Sequence, residues 1–344
     1  MTQFFTVDAL SPDKELIQRA AKLIQDGGLV AFPTETVYGL GANATDAEAA
    51  KKIYAAKGRP SDNPLIIHIS RPEDAALYAE VTPAYERLAR AFMPGPLTVI
   101  LKKKSVIPPS VTGGLDTVAV RCPSHPVARA LIEASGTAIA APSANRSGSP
   151  SPTAAQHVRH DLDGRIDAII DGGACEIGLE STIVALTGDD EAVLLRPGAV
   201  TYDALCCVLS HVTLSHTLNG ALSENERPLS PGMKYKHYAP SAPLVLLDGE
   251  ESAVLRYLQN AQRTERCAIL CYAEETDSLS PEHLLCVGAR EDLAAQSASL
   301  FAALRQTDGM NIDVVYAHLP TQNGLGLALY NRLIRAAAHT VKYL

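Results

Sequence analysis

The sequence predicts an α/β protein of two domains, and three observations support this prediction. The chain has 344 residues, which exceeds the size at which one hydrophobic core usually stops growing. Its residues are 47% hydrophobic and 20% charged, enough apolar material to fill packed cores. Short apolar, β-branched runs alternate with segments of helical periodicity. Because the strands outnumber the helices, we expect a mixed sheet and not a strict βαβ repeat.

The first two hundred residues predict a twisted, mixed sheet with flanking helices. The first helix is expected after Ser11, which can cap it, with Pro12 in its first turn and Gly27 at its end. Further helical patterns begin near residues 46, 83, 125 and 153. Eight short runs have the composition of buried strands. They are residues 29–32, 64–69, 97–101, 117–120, 138–140, 168–170, 181–186 and 192–195.

A polar stretch with several prolines separates the two predicted domains. It spans residues 209–241 and is expected to be a linker or a long functional loop. We therefore assign residues 1–208 to the first domain and residues 242–344 to a small C-terminal α/β domain of Rossmann-like type. In the second domain, strands are predicted at 244–247, 268–271, 284–287 and 314–317, and helices near 251–262, 290–305 and 325–340.

Composition and charge exclude several classes of protein. The formal net charge of -8 argues against a nonspecific nucleic-acid coat, although a local basic patch stays compatible with it. The seven cysteines lack the spacing of a zinc ribbon or finger, so buried reduced thiols are expected. No apolar run reaches the ~18 residues of a membrane span, and Met1–Phe5 does not resemble a signal peptide. We therefore expect a cytoplasmic protein.

The common nucleotide-binding and catalytic motifs are missing from the sequence. There is no P-loop and no Gly-x-Gly-x-x-Gly turn after a strand, and the pair Gly324 and Gly326 indicates a helix start. No Gly-x-Ser-x-Gly elbow surrounds Ser143 or Ser181, which gives little support to a serine nucleophile. No histidine or cysteine spacing predicts a metal site made of protein ligands alone.

Polar segments instead follow or precede six of the predicted strands, where open α/β sheets bind their ligands. Each segment alone is compatible with a structural role: an ordinary turn, cations at a helix C-terminus, a surface arginine at position 121, or a plain Ser/Pro/Gly loop. Together they supply cations, hydroxyls and a helix N-terminus that suit an anion. The six segments are residues 33–41, 57–64, 121, 141–153, 178–182 and 195–198.

These segments resemble the motifs of the threonylcarbamoyl-AMP synthases, the YrdC-like family. The resemblance covers residues 10–205, and the segments 230–240 and 324–332 resemble the longer, two-domain branch of that family. It rests on Pro33-Thr34-Glu35-Thr36-x-Tyr38-Gly39-Leu40, Lys57-x-Arg59-Pro60, Asn63-Pro64-Leu65, Ser143-Ala144-Asn145 and Leu179-Glu180-Ser181-Thr182.

The resemblance implies an ATP-dependent enzyme. Its expected reaction converts L-threonine, bicarbonate or carbon dioxide, and ATP into L-threonylcarbamoyl-adenylate and pyrophosphate. Lys57 and Arg59 are the implied catalytic residues, and Thr34, His68, Arg121 and Ser181 are implied to bind threonine. ATP is implied to contact Lys57, Arg59, Ser61, Thr117, Ser143, Asn145, Ser151, Arg196, His237 and Tyr238.

The same resemblance implies cofactors and partners. Magnesium is expected to arrive with ATP, held by phosphate oxygens and water without a dedicated protein site. The product is expected to supply partner proteins that modify a tRNA adenosine beside the anticodon, and the linker is expected to close over the cleft. Two other hypotheses stay open at this stage: a noncatalytic module that binds RNA in the same basic cleft, and a regulatory protein whose second domain senses a ligand.

Overall fold

The computed structural model describes residues 1–218 and 238–344, which form two compact units. The first consists of Met1–Ser147, Ser151–Glu176 and the described part of Glu180–Lys234. The second consists of Gly148–Pro150, Ile177–Leu179 and the described part of Tyr235–Leu344. The predicted linker, 209–241, includes residues 219–237, which lie outside the described residues, and its bounds stay a prediction.

The described part of the first unit contains eleven strands and eight α-helices. The strands are β1 (Gln3–Thr6), β2 (Val30–Phe32), β3 (Gly39–Asn43), β4 (Ile66–His68), β5 (Leu97–Lys102), β6 (Thr117–Arg121), β7 (Ile139–Ala141), β8 (Ala168–Asp171), β9 (Thr182–Gly188), β10 (Glu191–Arg196) and β11 (His211–Leu214). The helices are α1 (Lys14–Gln25), α2 (Ala47–Lys57), α3 (Ala75–Tyr78), α4 (Pro83–Phe92), α5 (Pro109–Thr112), α6 (Pro126–Ser135), α7 (Ala155–Leu162) and α8 (Tyr202–Cys206).

All eleven strands belong to one mixed sheet, in the order β1-β8-β2-β3-β7-β4-β6-β5-β9-β10-β11. Parallel pairs such as β4 with β6 alternate with antiparallel pairs such as β5 with β6. This confirms the predicted mixed sheet. The eight predicted strands are present, each to within two residues at either end.

Three strands of this sheet were not predicted from the sequence. β1 and β11 are short edge strands, and β11 lies inside the range predicted as linker. β3 contains the run Gly39-Leu40-Gly41, which has few β-branched residues. Its pairing with β2 and β7 requires a glycine, because a Cβ at Gly41 would lie 2.6 Å from Ile139 and 2.8 Å from Phe32.

The start of the first helix differs from the prediction. α1 begins at Lys14, and the carboxylate of Asp13 caps it by accepting the backbone N–H of Leu16 at 3.0 Å. Ser11 lies before the helix, where its backbone N–H donates to the carboxylate of Asp8 at 2.7 Å. The sequence Ser11-Pro12 had suggested the cap, but an aspartate two residues later satisfies the free N–H groups instead.

The two faces of the sheet are packed differently. One face carries the largest core, which includes Tyr54 of α2 and Leu88 of α4. On the other face, α1 and α6 cover the part around Phe32 and Ile139. This second face is concave, because the rings of Phe32 and His68 lie 6.1 Å apart although two strands separate β2 from β4.

The second unit is a small parallel α/β domain, which confirms the predicted fold class. Its described strands are β12 (Leu244–Asp248), β13 (Cys267–Cys271), β14 (Leu284–Cys286), β15 (Val314–His318) and β16 (Val341–Tyr343). They are all parallel, in the order β14-β13-β15-β12-β16. The helices are α9 (Glu251–Thr264), α10 (Leu293–Thr307) and α11 (Gly326–Ala336). Within the described parts of both units, no helix has the length and apolar character needed to span a membrane.

Replacing Asp46 with alanine should destabilise the first unit by about 1 kcal/mol, the usual cost of losing a helix cap. The Asp46 carboxylate accepts the backbone N–H groups of Glu48 at 2.8 Å and Ala49 at 3.2 Å at the start of α2. Urea denaturation measures the change. Asp46→Asn keeps an acceptor oxygen and should retain most of the stability, so an equal loss in both variants would contradict the capping role.

Candidate active site on the concave face

A row of three buried polar side chains crosses the middle of the sheet. The strand register pairs Arg121 of β6 with His68 of β4 on one side and with Thr98 of β5 on the other. Side chains paired in this way point to the same face. All three residues are at most 4% exposed, so the sequence alternative of a surface arginine at position 121 is wrong.

Hydrogen bonds extend this row to two more predicted site residues. The hydroxyls of Thr98 and Ser181 lie 2.8 Å apart. Arg196 donates from Nη2 to the Ser181 hydroxyl at 3.2 Å and from Nε to the Ser181 carbonyl at 3.0 Å. Arg196 was predicted to bind ATP and Ser181 to bind threonine, so the structure joins the two predicted sets in one polar chain.

The loop after β2 brings a carboxylate to this row. The Thr34 hydroxyl donates to the Val37 carbonyl at 2.7 Å and closes a tight turn. The turn directs Glu35 to Arg121, where Oε1 lies 2.8 Å from Nη2, and both side chains are at most 6% exposed. Glu35 appears in the sequence motif that resembles the family, but no role was predicted for it.

The histidine of the row is neutral at physiological pH. Burial, reinforced by the nearby Arg121 cation, lowers the pKa of His68 to about 3. Its Nδ1 lies 3.2 Å from the Ile66 carbonyl. Burial likewise raises the pKa of the Cys175 thiol to about 12, so it carries no negative charge. Arg121, Arg196 and Glu35 therefore supply the charges at this end of the site.

A second group of predicted residues lies at the other end of the same strands. Lys57, the last residue of α2, donates from Nζ to the Ser143 carbonyl at 2.6 Å and to the Asn145 carbonyl at 2.5 Å. The Ser143 hydroxyl donates to the Asn145 side chain at 2.5 Å. Lys57 therefore holds the loop that follows β7.

Three more residues predicted to bind ATP belong to this end. Arg59 is half-buried and donates to the Asn63 and Pro64 carbonyls at 3.1–3.4 Å. Ser61 is exposed in the same loop, which leads into β4. Thr117 begins β6, and four residues of extended strand place it about 13 Å from Arg121.

The loop after β7 connects the two ends of the site. It begins at Ser143 beside Lys57 and reaches Ser151, whose hydroxyl donates to the Glu180 carboxylate at 2.5 Å. Glu180 directly precedes Ser181 of the polar row. Ser151 and Glu180 are buried, so this contact fixes the loop along the length of the site.

The remaining predictions concern other parts of the chain. His237 lies outside the described residues. Tyr238 belongs to the second unit, where its ring stacks on Phe301 at 5.2 Å. In the part of the chain that the structure describes, no group of three or more histidine, cysteine, aspartate or glutamate residues is arranged to hold a metal ion.

Two side chains of the polar row, Glu35 and Thr98, are not predicted from the sequence to have a role in the site. Thr98 lies inside an apolar run that predicts a buried strand, and only its register opposite Arg121 identifies it. Glu35 is flanked by two threonines after a strand, a pattern that indicated a polar loop but not its target. Thr98 is identified by the pairing of β5 with β6, and Glu35 by an ion pair with a residue far along the chain.

Two family models cover most of the chain. Residues 22–198 match the Sua5, YciO and YrdC model, described as telomere recombination. Residues 200–338 match the C-terminal domain of threonylcarbamoyl-AMP synthase. The concave site lies in the first of these regions, and four of the five described strands of the second unit's parallel sheet lie in the other.

Relatives and solved structures match both units together. The threonylcarbamoyl-AMP synthase of Bacillus subtilis is 47% identical over 97% of this chain and 96% of its own length. The threonylcarbamoyl-AMP synthase of Pyrococcus abyssi is 44% identical over 94% of this chain and 95% of its own length. The crystal structure of P. abyssi Sua5 complexed with L-threonine has a TM-score of 0.93 at 42% identity and covers both chains fully.

A shorter protein, YciO of E. coli, matches little more than half of this chain. Its crystal structure covers 58% of this chain and 96% of its own, with a TM-score of 0.52 and 27% identity. The first unit is thus a YrdC-like domain. Because the relatives that match along the whole length also include the second domain, the chain belongs to the threonylcarbamoyl-AMP synthase family, in its two-domain form.

Acidification below pH 6.5 should destabilise the first unit, because folding lowers the pKa of His68 from 6.5 to about 3. The stability that neutral His68 contributes is fully present above pH 6.5 and is lost as the pH falls towards 3. In this window the unfolded chain binds one more proton than the folded chain. The free energy of unfolding therefore falls by up to about 1.4 kcal/mol for each pH unit of acidification.

Urea denaturation at several pH values measures this dependence. His68→Asn should reduce the slope of stability against pH by the contribution of one proton. His211→Asn, which removes an exposed histidine, should leave the slope unchanged. Equal slopes in wild type and His68→Asn would contradict the assignment.

Proposed function

We propose that this chain is an L-threonylcarbamoyladenylate synthase. It uses ATP to convert L-threonine and bicarbonate or carbon dioxide into L-threonylcarbamoyladenylate and pyrophosphate. The observation that carries the proposal is the bond between Arg196 and Ser181, because it places a residue predicted for ATP against one predicted for threonine. Membership of the family, established along nearly the whole chain, favours this catalytic function over the alternative of an RNA-binding module.

In this proposal threonine binds at the Arg121 end of the concave face. Thr34, His68, Arg121 and Ser181 surround that end, and P. abyssi Sua5 was solved with L-threonine. A guanidinium binds a carboxylate well, because its N–H groups form a planar fork. Neutral His68 can donate or accept a hydrogen bond without adding a second positive charge.

ATP then extends along the strands towards the Lys57 end. Arg196 faces its α-phosphate beside threonine, and Arg59, Ser61, Thr117, Ser143 and Asn145 contact the rest of the nucleotide. Lys57 acts by holding the Ser143–Asn145 loop in place through the carbonyls that it binds. Ser151 fixes the other end of the same loop against Glu180.

The chemistry requires alignment and charge stabilisation. The threonine amine attacks carbon dioxide, forms the new N–C bond and releases its protons. A carbamate oxygen then attacks the α-phosphorus, and the bond from that phosphorus to pyrophosphate breaks. Arginine and hydroxyl groups stabilise the charge that gathers there, so no covalent nucleophile is required.

Magnesium, in this proposal, enters with ATP and neutralises charge on the phosphates. Of the two buried carboxylates of the site, Glu35 faces the Arg121 cation, which repels a metal ion, and Glu180 accepts the Ser151 hydroxyl. Phosphate oxygens and water are therefore the ligands that fit the ion here.

The proposed function also includes the use of the product, the closure of the linker and the location of the reaction in the cell. Partner proteins accept the adenylate and transfer its threonylcarbamoyl group to a tRNA adenosine beside the anticodon. The linker closes over the cleft and excludes water from a product that hydrolyses easily. The reaction takes place in the cytoplasm.

Arg59→Ala and Lys57→Ala should each lower kcat/KM for pyrophosphate release at least about 30-fold, or about 2 kcal/mol of transition-state stabilisation. Arg59→Ala removes a cation near the phosphates, and Lys57→Ala releases the Ser143–Asn145 loop. Pyrophosphate release with saturating threonine measures the effect.

Arg165→Ala is the matched control for these variants, because Arg165 is exposed on a loop of the same unit. It should retain full activity. Circular dichroism checks that each variant is folded. Full pyrophosphate release by a folded Arg59→Ala or Lys57→Ala protein would exclude that residue from the ATP site.

The reaction itself can be tested with labelled bicarbonate. Incubation with ATP and each amino acid in turn should give pyrophosphate and a labelled adenylate with L-threonine, and much less with amino acids that lack its carboxylate-amine-hydroxyl arrangement. Release of pyrophosphate without label in the adenylate would show that another nucleophile attacks ATP.

A further inference from the structure

The ion pair between Glu35 and Arg121 leaves several polar atoms without hydrogen bonds. Glu35 Oε1 and Arg121 Nη2 lie 2.8 Å apart, yet their orientation does not meet hydrogen-bond geometry. Among the described residues, both oxygens of Glu35 and the Nε and Nη2 atoms of Arg121 have no hydrogen-bond partner. The two side chains are 6% and 5% exposed, so bulk water does not satisfy them.

Such an arrangement is costly if its role is only structural. A buried polar atom without a hydrogen-bond partner destabilises the folded protein, and a charged atom does so more strongly. A purely structural pair would be expected to form the two parallel bonds that arginine and a carboxylate readily make. The atoms without hydrogen bonds include acceptors on Glu35 and donors on Arg121. A ligand that carries both a cationic and an anionic group would bind both.

The charges around the pair match the same kind of ligand. His68 is neutral because burial lowers its pKa to about 3. Burial also lowers the pKa of His125 and raises those of the Cys122 and Cys175 thiols to about 12, so these neighbours of Glu35 are uncharged. The pair itself supplies one cation and one anion, which complement the two charges of a zwitterion, while Arg196 is bound to Ser181 beside them.

We propose that Glu35 binds the α-ammonium group of the amino-acid substrate while Arg121 binds its α-carboxylate. This inference rests on the proposed function, because it takes threonine as the ligand. Glu35 is then a substrate-positioning residue: by holding the nitrogen, it fixes the position from which the amine attacks carbon dioxide. The loop of Thr34 and Glu35 sets this position through the turn that ends at Val37.

Selection for an amine follows from this arrangement. A buried carboxylate rejects a ligand that places a hydroxyl where threonine has its ammonium, since the charge of Glu35 is then unmatched. The suitable probe is the α-hydroxy analogue of threonine, α,β-dihydroxybutyrate, which retains the carboxylate and the β-hydroxyl. Wild type should bind threonine at least about tenfold more tightly than this analogue.

Calorimetric titration of wild type and Glu35→Gln with both ligands tests the proposal. The variant should bind threonine at least about tenfold more weakly, the effect of losing one charge-assisted hydrogen bond. It should bind the analogue as tightly as wild type or more tightly, because the substitution removes a repulsive negative charge. Glu15→Gln, which changes an exposed glutamate on α1, should leave both affinities unchanged.

The outcomes separate positioning from a structural role. Equal weakening of both ligands would mean that Glu35 only orients Arg121, and unchanged threonine affinity would mean that Glu35 does not face the amine. Either result overturns the proposal. If Glu35→Gln does not fold, Glu35→Asp, which keeps the charge but is one methylene shorter, should weaken threonine binding selectively, and equal weakening of both ligands overturns the proposal again.

A different measurement, the release of pyrophosphate from ATP, tests the proposed function. Wild type that binds threonine but releases no pyrophosphate from ATP in the presence of bicarbonate contradicts the synthase activity, while the comparison of the two ligands still decides the role of Glu35. Wild type that binds the analogue as tightly as threonine overturns the role of Glu35, even if pyrophosphate is released normally.

Discussion

The concave site depends on one buried charge, the guanidinium of Arg121 in the middle of the sheet. Removing such a group from water costs several kcal/mol unless an opposite charge compensates it. The carboxylate of Glu35 supplies that charge from the loop after β2, and two strands separate β2 from β4 in the sheet. The pair therefore requires a curved sheet, and the contact between the Phe32 and His68 rings shows this curvature.

The site has a long axis along the strands, with different chemistry at each end. At one end, the guanidinium groups of Arg121 and Arg196 lie with the Ser181 hydroxyl and the Glu35 carboxylate. At the other end, Lys57 organises backbone carbonyls and the Ser143 hydroxyl. In the proposed function, the amino acid binds at the first end and the nucleotide extends towards the second.

Local sequence patterns predicted the strands well, because a buried strand is recognisable from its own composition. They also placed Ser181 and Arg196 at strand ends, which agrees with the register. Three features could not be predicted in this way. β3 is a strand only through its neighbours, Thr98 looks like part of an apolar run, and the burial of Arg121 depends on a carboxylate 86 residues earlier in the chain.

The contact between Lys57 and the Ser143–Asn145 loop also constrains the length of α2. Asp46 caps this helix at its start and Lys57 ends it, so eleven residues connect a fixed cap to a fixed ammonium group. An inserted or deleted residue would rotate the lysine by about 100° and shift it by about 1.5 Å. We therefore infer that this segment tolerates side-chain exchange on its exposed face far better than any change in residue number.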